Sequence, residues 1–312
     1  MNGIKLSKEY YELFGKPMIH NQFHHIEKYI AAGLCGQGSE CYGYDDMISR
    51  DHDYEPGFII FIPDESIVSR RDAFLLERAY SALPKEYKGI KRQMVSPVGG
   101  SRRGVMRTSD FFTKFVGENY AALSLSDWLY IPDHLIFEAT NGEIFSDEYG
   151  EVTSVRQSLL SMPEDIRRKR LAGRLLLMSQ SGEYNYSRCI LHGETAAAQL
   201  CLFEFVRRCI EVIFLLNRKY MPYYKWAFRA LKELDYLGSA YEDLEFIISS
   251  DNSEKNIAKK TKSIEKICRL ISDATEAQCI TEKFYNLDRL AYSVNDSIKD
   301  ISIRSMNIFC TV

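Results

Sequence analysis

Nowhere in its 312 residues does this chain stay apolar for long enough to cross a membrane. The best stretch, Cys209–Leu216, is interrupted by Glu211 and falls well short of the roughly 18 apolar residues a span needs. The opening segment MNGIKLSKEYYELFG carries charge throughout and offers no apolar segment of secretory length. No membrane partner and a cytoplasmic location are therefore expected. Charge of neither sign dominates: 40 Lys and Arg against 43 Asp and Glu leave a net charge of -3. That field is too weak to draw in a phosphate backbone or an anionic bilayer, so nucleic acid is not an expected partner and any contact with it must be local. The eight cysteines contain no Cys-x-x-Cys pair, and Cys201 and Cys209 fall in an apolar helical run. They read as reduced, mostly buried thiols rather than disulfides or zinc ligands. No internal repeat is seen.

What is present is enough for two cores. The length exceeds what a single hydrophobic core holds, and a composition 46% hydrophobic and 27% charged is that of a folded globular chain. Two helical patterns come first, one from Ser7 to Gly15 and one from Pro17 through Ile30 to Gly33. Phe58–Ile62 reads as a buried strand, and a helix is predicted at about 72 to 82. Leu135–Ala139 and Glu143–Phe145 flank Asn141-Gly142, a strong hairpin signal, and are predicted to pair as strands. Beyond about residue 157 the pattern turns helical, over 166 to 180, 195 to 220, 224 to 237 and 254 to 273, with Pro222 ending the second of these. Thr195–Tyr220 is expected to be the central helix. The fold class is α+β, with an α/β domain over 1–157 and an all-α helical bundle over 158–312.

The chemistry concentrates in Gly38-Ser39-Glu40 and, beyond Arg50, Asp51-His52-Asp53. A glycine and a serine at a helix entry expose backbone N–H groups and a hydroxyl that suit phosphates. Two aspartates at i and i+2 of an extended segment project to one face. At about 4 Å apart they repel by ~4 kcal/mol at an effective dielectric of about 20. A divalent cation with oxygen ligands relieves that repulsion and bridges substrate phosphates.

The run Gly38-Ser39-Glu40-Cys41-Tyr42-Gly43-Tyr44-Asp45-Asp46, followed by Ser49-Arg50-Asp51-His52-Asp53, resembles the signature of the family called domain of unknown function 4037, counted within the nucleotidyltransferase superfamily. Ser126-Asp127-Trp128-Leu129 with Ile131-Pro132, Glu138 to Asp147, Pro163-Glu164-Asp165 and Arg218 to Trp226 are similar to it as well. The resemblance implies a nucleotidyltransferase-like, polymerase-beta-type domain with a mixed sheet. It also implies transfer of NMP from an NTP, with ATP the expected one, to a hydroxyl of an acceptor that is a small molecule or a protein. Gly38 and Ser39 then fall on the triphosphate, and Asp51 and Asp53 on the ligands of Mg2+ or Mn2+. Glu138, at the end of the predicted Leu135–Phe137 strand, falls on a third carboxylate that activates the acceptor, with Asp147 the alternative. Tyr54-Glu55-Pro56-Gly57 depart from the usual pattern by separating the aspartates from the next strand. The rival readings are an inactive nucleotide-binding sensor or antitoxin-like protein, and an RNA-tailing enzyme.

Other residues carry weaker signals. Lys225, among Tyr220, Tyr223, Tyr224 and Trp226, suits a nucleotide phosphate or base, although a helix start packed with aromatics looks the same. Residues 88–107 hold Lys88, Lys91, Arg92, Arg102, Arg103 and Arg107 with no acid, either to steer an NTP or as a solvated loop. His20, His24 and His25 offer an i, i+4 metal pair with no third ligand evident. Arg188 and His192 are too close together for the ribonuclease spacing of some helical relatives.

Overall fold

The computed structural model describes residues 2–48, 54–92 and 102–312. It is a mixed α+β protein, 62% helical, with a small mixed sheet. The chain forms two compact units: Met1–Asp127 with Leu135–Ser161, and Trp128–His134 with Met162–Val312.

The first unit is built on β1 (Ala31–Leu34), β2 (Ile59–Ile62), β3 (Glu86–Tyr87), β4 (Ile90–Lys91), β5 (Gly104–Arg107) and β6 (Glu143–Asp147). The main sheet has the order β5-β2-β1-β6, with β1 antiparallel to both neighbours and β2 parallel to β5. Its helices are α1 (Gly3–Tyr10), α2 (Lys16–Gln22), α3 (Ser39–Tyr42), α4 (Arg70–Ala82), α5 (Thr108–Val116), α6 (Leu125–Tyr130), α7 (Asp133–Thr140) and α8 (Glu151–Leu160). The division between units falls within α6 and α7. Ser69 and Asp72 start α4 reciprocally: the Asp72 N–H donates to Ser69 Oγ at 3.1 Å and the Ser69 hydroxyl donates back to Asp72 at 2.7 Å.

Every residue of β2 is buried, which explains its unbroken apolar run. Ile60 and Ile62 join Tyr10, Ile19, Leu76 and Tyr80 in one core cluster. Phe61, on the alternate face, meets Phe111 of α5 edge-on at 5.1 Å. β1 is a weakly apolar strand for a steric reason. A Cβ on Gly33 would come within 2.7 Å of Glu143 O, where the β1–β6 register shifts between Ala32 and Gly33.

Two predicted elements are corrected. The helix beginning at Pro17 stops at Gln22, and its expected end, up to Gly33, is taken over by β1. Leu135–Ala139 is not a strand: it lies within α7, and there is no Asn141-Gly142 hairpin. Ile136 and Ala139, three residues apart, are both fully buried on one side of this helix. Gly142, at φ +67, ends it in the left-handed conformation common after helices, so the same dipeptide that signals a hairpin serves here as a helix stop.

The second unit comprises α9 (Glu164–Met178), α10 (Tyr186–Leu191), α11 (Thr195–Leu216), α12 (Tyr224–Lys232), α13 (Tyr241–Ser249), α14 (Glu254–Ala277), α15 (Leu287–Asp296) and α16 (Ile301–Ser305). α11 is heavily buried as expected, but α9 is buried too, along with Arg167, Lys169, Arg170 and Arg174. Each of these cations has partners. Lys169 donates to Asn295 Oδ1 at 2.9 Å and to Met306 O at 2.6 Å, and Arg174 pairs with Glu211 at 2.9 Å.

Glu164 ties the start of α9 together through Arg167 at 2.7 Å, Arg168 at 3.1 Å and Arg218 at 3.1 Å. Burial pulls its carboxyl upward, but the hydrogen bonds and charge of those arginines outweigh it and bring it from 4.5 down to about 2. A carboxyl depressed in the folded state stabilises it above the unfolded value and loses that contribution as pH falls through the folded one. The unfolding midpoint of the wild type is therefore expected to fall more steeply than that of Glu164→Gln between pH 4.5 and 2. Parallel slopes in a pH series of thermal melts would refute the assignment. Among the described residues, no helix is long and apolar enough to cross a membrane.

Candidate functional site

The first unit's site is organised by the turn that leaves β1. Gly38, at φ +117, precedes α3, whose first residue is Ser39. Asn141, only 8% exposed, holds this turn from across the fold. The Gly36 N–H donates to Asn141 Oδ1 at 2.8 Å, and Asn141 Nδ2 donates to Gly36 O at 2.8 Å. Both bonds together fix the orientation of the amide, since the N–H needs an acceptor and the carbonyl a donor. The Gly142 N–H donates to Cys41 O at 3.1 Å, so two successive residues after α7 grip the segment around α3. Arg156 in turn covers the end of α7, donating to Thr140 O at 2.7 Å and Asn141 O at 2.8 Å. Burial pushes the Cys35 thiol up to about 12, with Arg156 pulling the other way, so that thiol is neutral and unreactive at physiological pH.

The turn opens on a cleft of about 310 Å3 lined by Gly36, Gln37, Glu40, Arg102, Arg103, Asp110 and Lys114, with an apolar floor that includes Ile59 and Phe111. Three cations therefore face two carboxylates. Arg103 is buried and engaged, at 3.3 Å from Glu40 and 2.9 Å from Glu55. Arg102 and Lys114 are exposed, and Arg102 donates to Gln37 O at 3.5 Å. A low-dielectric floor strengthens the pull of such cations on an anion. Glu40 is turned back on the turn: a Cβ on Gly38 would lie 2.6 Å from its carboxylate.

Glu138 occupies α7 rather than a strand, and is 6% exposed. Its Oε1 accepts from the Tyr42 hydroxyl at 2.5 Å, and the Tyr42 ring packs on Phe137 at 5.2 Å. Its buried Oε2 bonds to nothing among the described residues. Glu138 is thus coupled to α3, the helix that Gly38 and Ser39 begin, although it does not line the cleft. Asp147 is committed elsewhere: its two oxygens accept the N–H groups of Gly150 at 2.9 Å and Thr153 at 2.7 Å at the start of α8. Lys225 belongs to the second unit, exposed in the first turn of α12 with its ammonium 4.9 Å from the Trp226 ring. Asp51 and Asp53 lie outside the described residues.

Sequence reasoning missed Asp110 and Lys114 as cleft residues, because only the packing of α5 against β2 brings them there. Arg102 and Arg103 were signalled by the basic run at 88–107. The clamp on Gly36 was hidden in the Asn-Gly dipeptide under another meaning.

Fold and site together define an α+β protein with a glycine turn opening on a cation-lined cleft. Residues 128–227 match the family described as Domain of unknown function (DUF4037), a segment covering less than half of the chain. It includes Glu138 and Lys225 and leaves out Gly38, Ser39, Asp51 and Asp53. None of the curated proteins matches the chain.

Proposed function

We propose that the chain is a metal-dependent nucleotidyltransferase that passes NMP from an NTP to an acceptor hydroxyl. The observation that carries this reading is the Gly36–Gly38 turn, held by Asn141 at the edge of a cleft whose other lining includes Arg102 and Lys114. Backbone N–H groups at Gly38 and Ser39, with these cations, would hold the triphosphate. Asp51 and Asp53, two carboxylates at i and i+2, fit a hard divalent cation. Mg2+ or Mn2+ there would supply neutralisation of phosphate charge. The acceptor oxygen would form a bond to the α-phosphorus while the bond to the bridging oxygen breaks and pyrophosphate leaves. Glu138 is the proposed base for the acceptor proton; it lies off the cleft with its second oxygen buried, so this role requires the acceptor to reach it beside α3. The domains proposed are 1–157 for nucleotide chemistry and 158–312 for the acceptor pocket.

One observation favours a second reading. The Glu40 carboxylate over Gly38 places negative charge at the turn, which opposes a triphosphate held there for transfer and suits a degenerate site of the sensor kind. Incubating the protein with α-labelled NTPs, Mg2+ and a cell lysate separates the two. Transfer of label to an acceptor is expected, and retained nucleotide with nothing labelled means the sensor reading. Glu138→Gln is expected to slow transfer by about 10²–10⁴-fold with nucleotide affinity kept. If the double variant Asp51→Asn, Asp53→Asn leaves metal and nucleotide affinity untouched, the assignment falls.

A further inference from the structure

We propose that His20, His24 and Glu27 form a binding site for one transition-metal ion, of the Zn2+ or Ni2+ class, separate from the cleft. The residue the sequence pattern did not supply, a third ligand for the histidine pair, is Glu27. His20 Nδ1 lies 3.2 Å from Glu27 Oε1 and 3.0 Å from Oε2, and His24 Nδ1 lies 2.9 Å from Oε2. One donor atom from each of the three residues falls within 4.8 Å of the other two. Donors bound to a single ion at about 2.0–2.2 Å stand roughly 3–3.5 Å from one another. The two histidine–carboxylate distances already have that length, and only the imidazole nitrogens need to close.

The backbone explains why the three ligands converge. Ile19, Phe23, Ile26 and Ile30 are all buried and anchor the end of α2 and the turn after it in the core. The turn is fixed by hydrogen bonds from the Phe23 N–H to Ile19 O at 2.8 Å and from the Ile26 N–H to Phe23 O at 2.9 Å. His20, His24 and Glu27, one residue later than three of those anchors, are therefore turned out of the core. The imidazole rings are 5.3 Å apart and nearly perpendicular, at 83°. His25 is directed elsewhere, with its Nε2 3.2 Å from Asp72.

The donor chemistry selects the ion. Two imidazoles and one carboxylate suit Zn2+, Ni2+ or Cu2+, whereas Mg2+ takes oxygen donors. Three protein ligands leave coordination positions open to water or to a bound molecule. β1 begins just after this turn and ends just before the glycine turn, so about 13 Å of strand separates the two sites. This centre is thus distinct from the glycine turn proposed for the nucleotide phosphates.

The test uses the full chain stripped with chelator and titrated with Zn2+ by calorimetry and with Co2+ by visible absorption, in a large excess of Mg2+. One ion per chain and a Co2+ d–d spectrum are expected. His24→Ala and Glu27→Gln should each weaken binding by more than the roughly 10–100-fold typical of losing an outer-sphere partner. His25→Ala should bind as the wild type does. All three side chains are at the surface, so circular dichroism of the variants should be unchanged. Absence of uptake by the wild type overturns the proposal. So does undiminished affinity in the double variant His20→Ala, His24→Ala, which would put the ion on the cysteines or on Asp51-His52-Asp53.

Discussion

Arg170→Ala is expected to destabilise the helical unit by about 3–5 kcal/mol, the cost of stranding a buried charge. Arg170 is among the largest fully buried side chains of the protein. Its guanidinium pairs with Asp133 and donates to Ile131 O at 2.6 Å. Truncation leaves the Asp133 carboxylate, itself 7% exposed, without its counter-ion, and leaves Ile131 O without its donor. The double replacement Arg170→Met, Asp133→Leu should recover most of the loss, because removing both charges abolishes the desolvation cost as well as the attraction. Urea unfolding of the wild type, Arg170→Ala, Arg170→Met alone and the double replacement measures this directly. Equal stability of Arg170→Met and the double replacement would mean that packing volume, and not charge, accounts for the effect.

Gly142→Ala is expected to cost about 2–5 kcal/mol, combining the left-handed backbone penalty with overpacking. The added Cβ would lie 2.1 Å from Leu34 O and 2.8 Å from Cα of Cys35, the residue that follows β1. Those are main-chain atoms of the strand and turn that form the cleft, and they cannot swing aside as a side chain would. Asn141→Ala removes both bonds to Gly36 and leaves a buried donor and acceptor unmet, at about 1–3 kcal/mol each. Thermal melts should order the variants below the wild type, and, on the proposed reading of the turn as a phosphate grip, nucleotide affinity should fall in both. A Gly142→Ala protein as stable as the wild type would show that the strand end yields freely.

The legible parts of the fold were those dictated by local pattern. Phe58–Ile62 could only be a buried strand, and the later helices announce themselves by apolar spacing. β1 was obscured because a close approach of Glu143 selects glycine and so erases the hydrophobic signal. α7 was misread because Asn-Gly tolerates a left-handed backbone equally well in a hairpin and after a helix. α9 shows as a helix in the sequence, but nothing local shows that Arg167, Lys169, Arg170 and Arg174 are buried in it. Only the partners that the fold supplies, some more than a hundred positions away, let its cations be buried. Of the candidate site, Gly38 and Ser39 were visible as a motif. The clamp that shapes their turn joins residues 105 positions apart and has no local trace.

Asn141 and its neighbour also bear on how this protein ages. In a loose chain an asparagine followed by glycine loses ammonia readily, because the glycine nitrogen attacks the side-chain amide and closes a five-membered ring. Here that nitrogen is engaged with Cys41 O, and the amide is held at both ends by Gly36. Deamidation would replace the donor that faces Gly36 O with a carboxylate oxygen, setting two acceptors against each other. The contact that shapes the turn thus also shields it from slow chemical decay for as long as the fold holds.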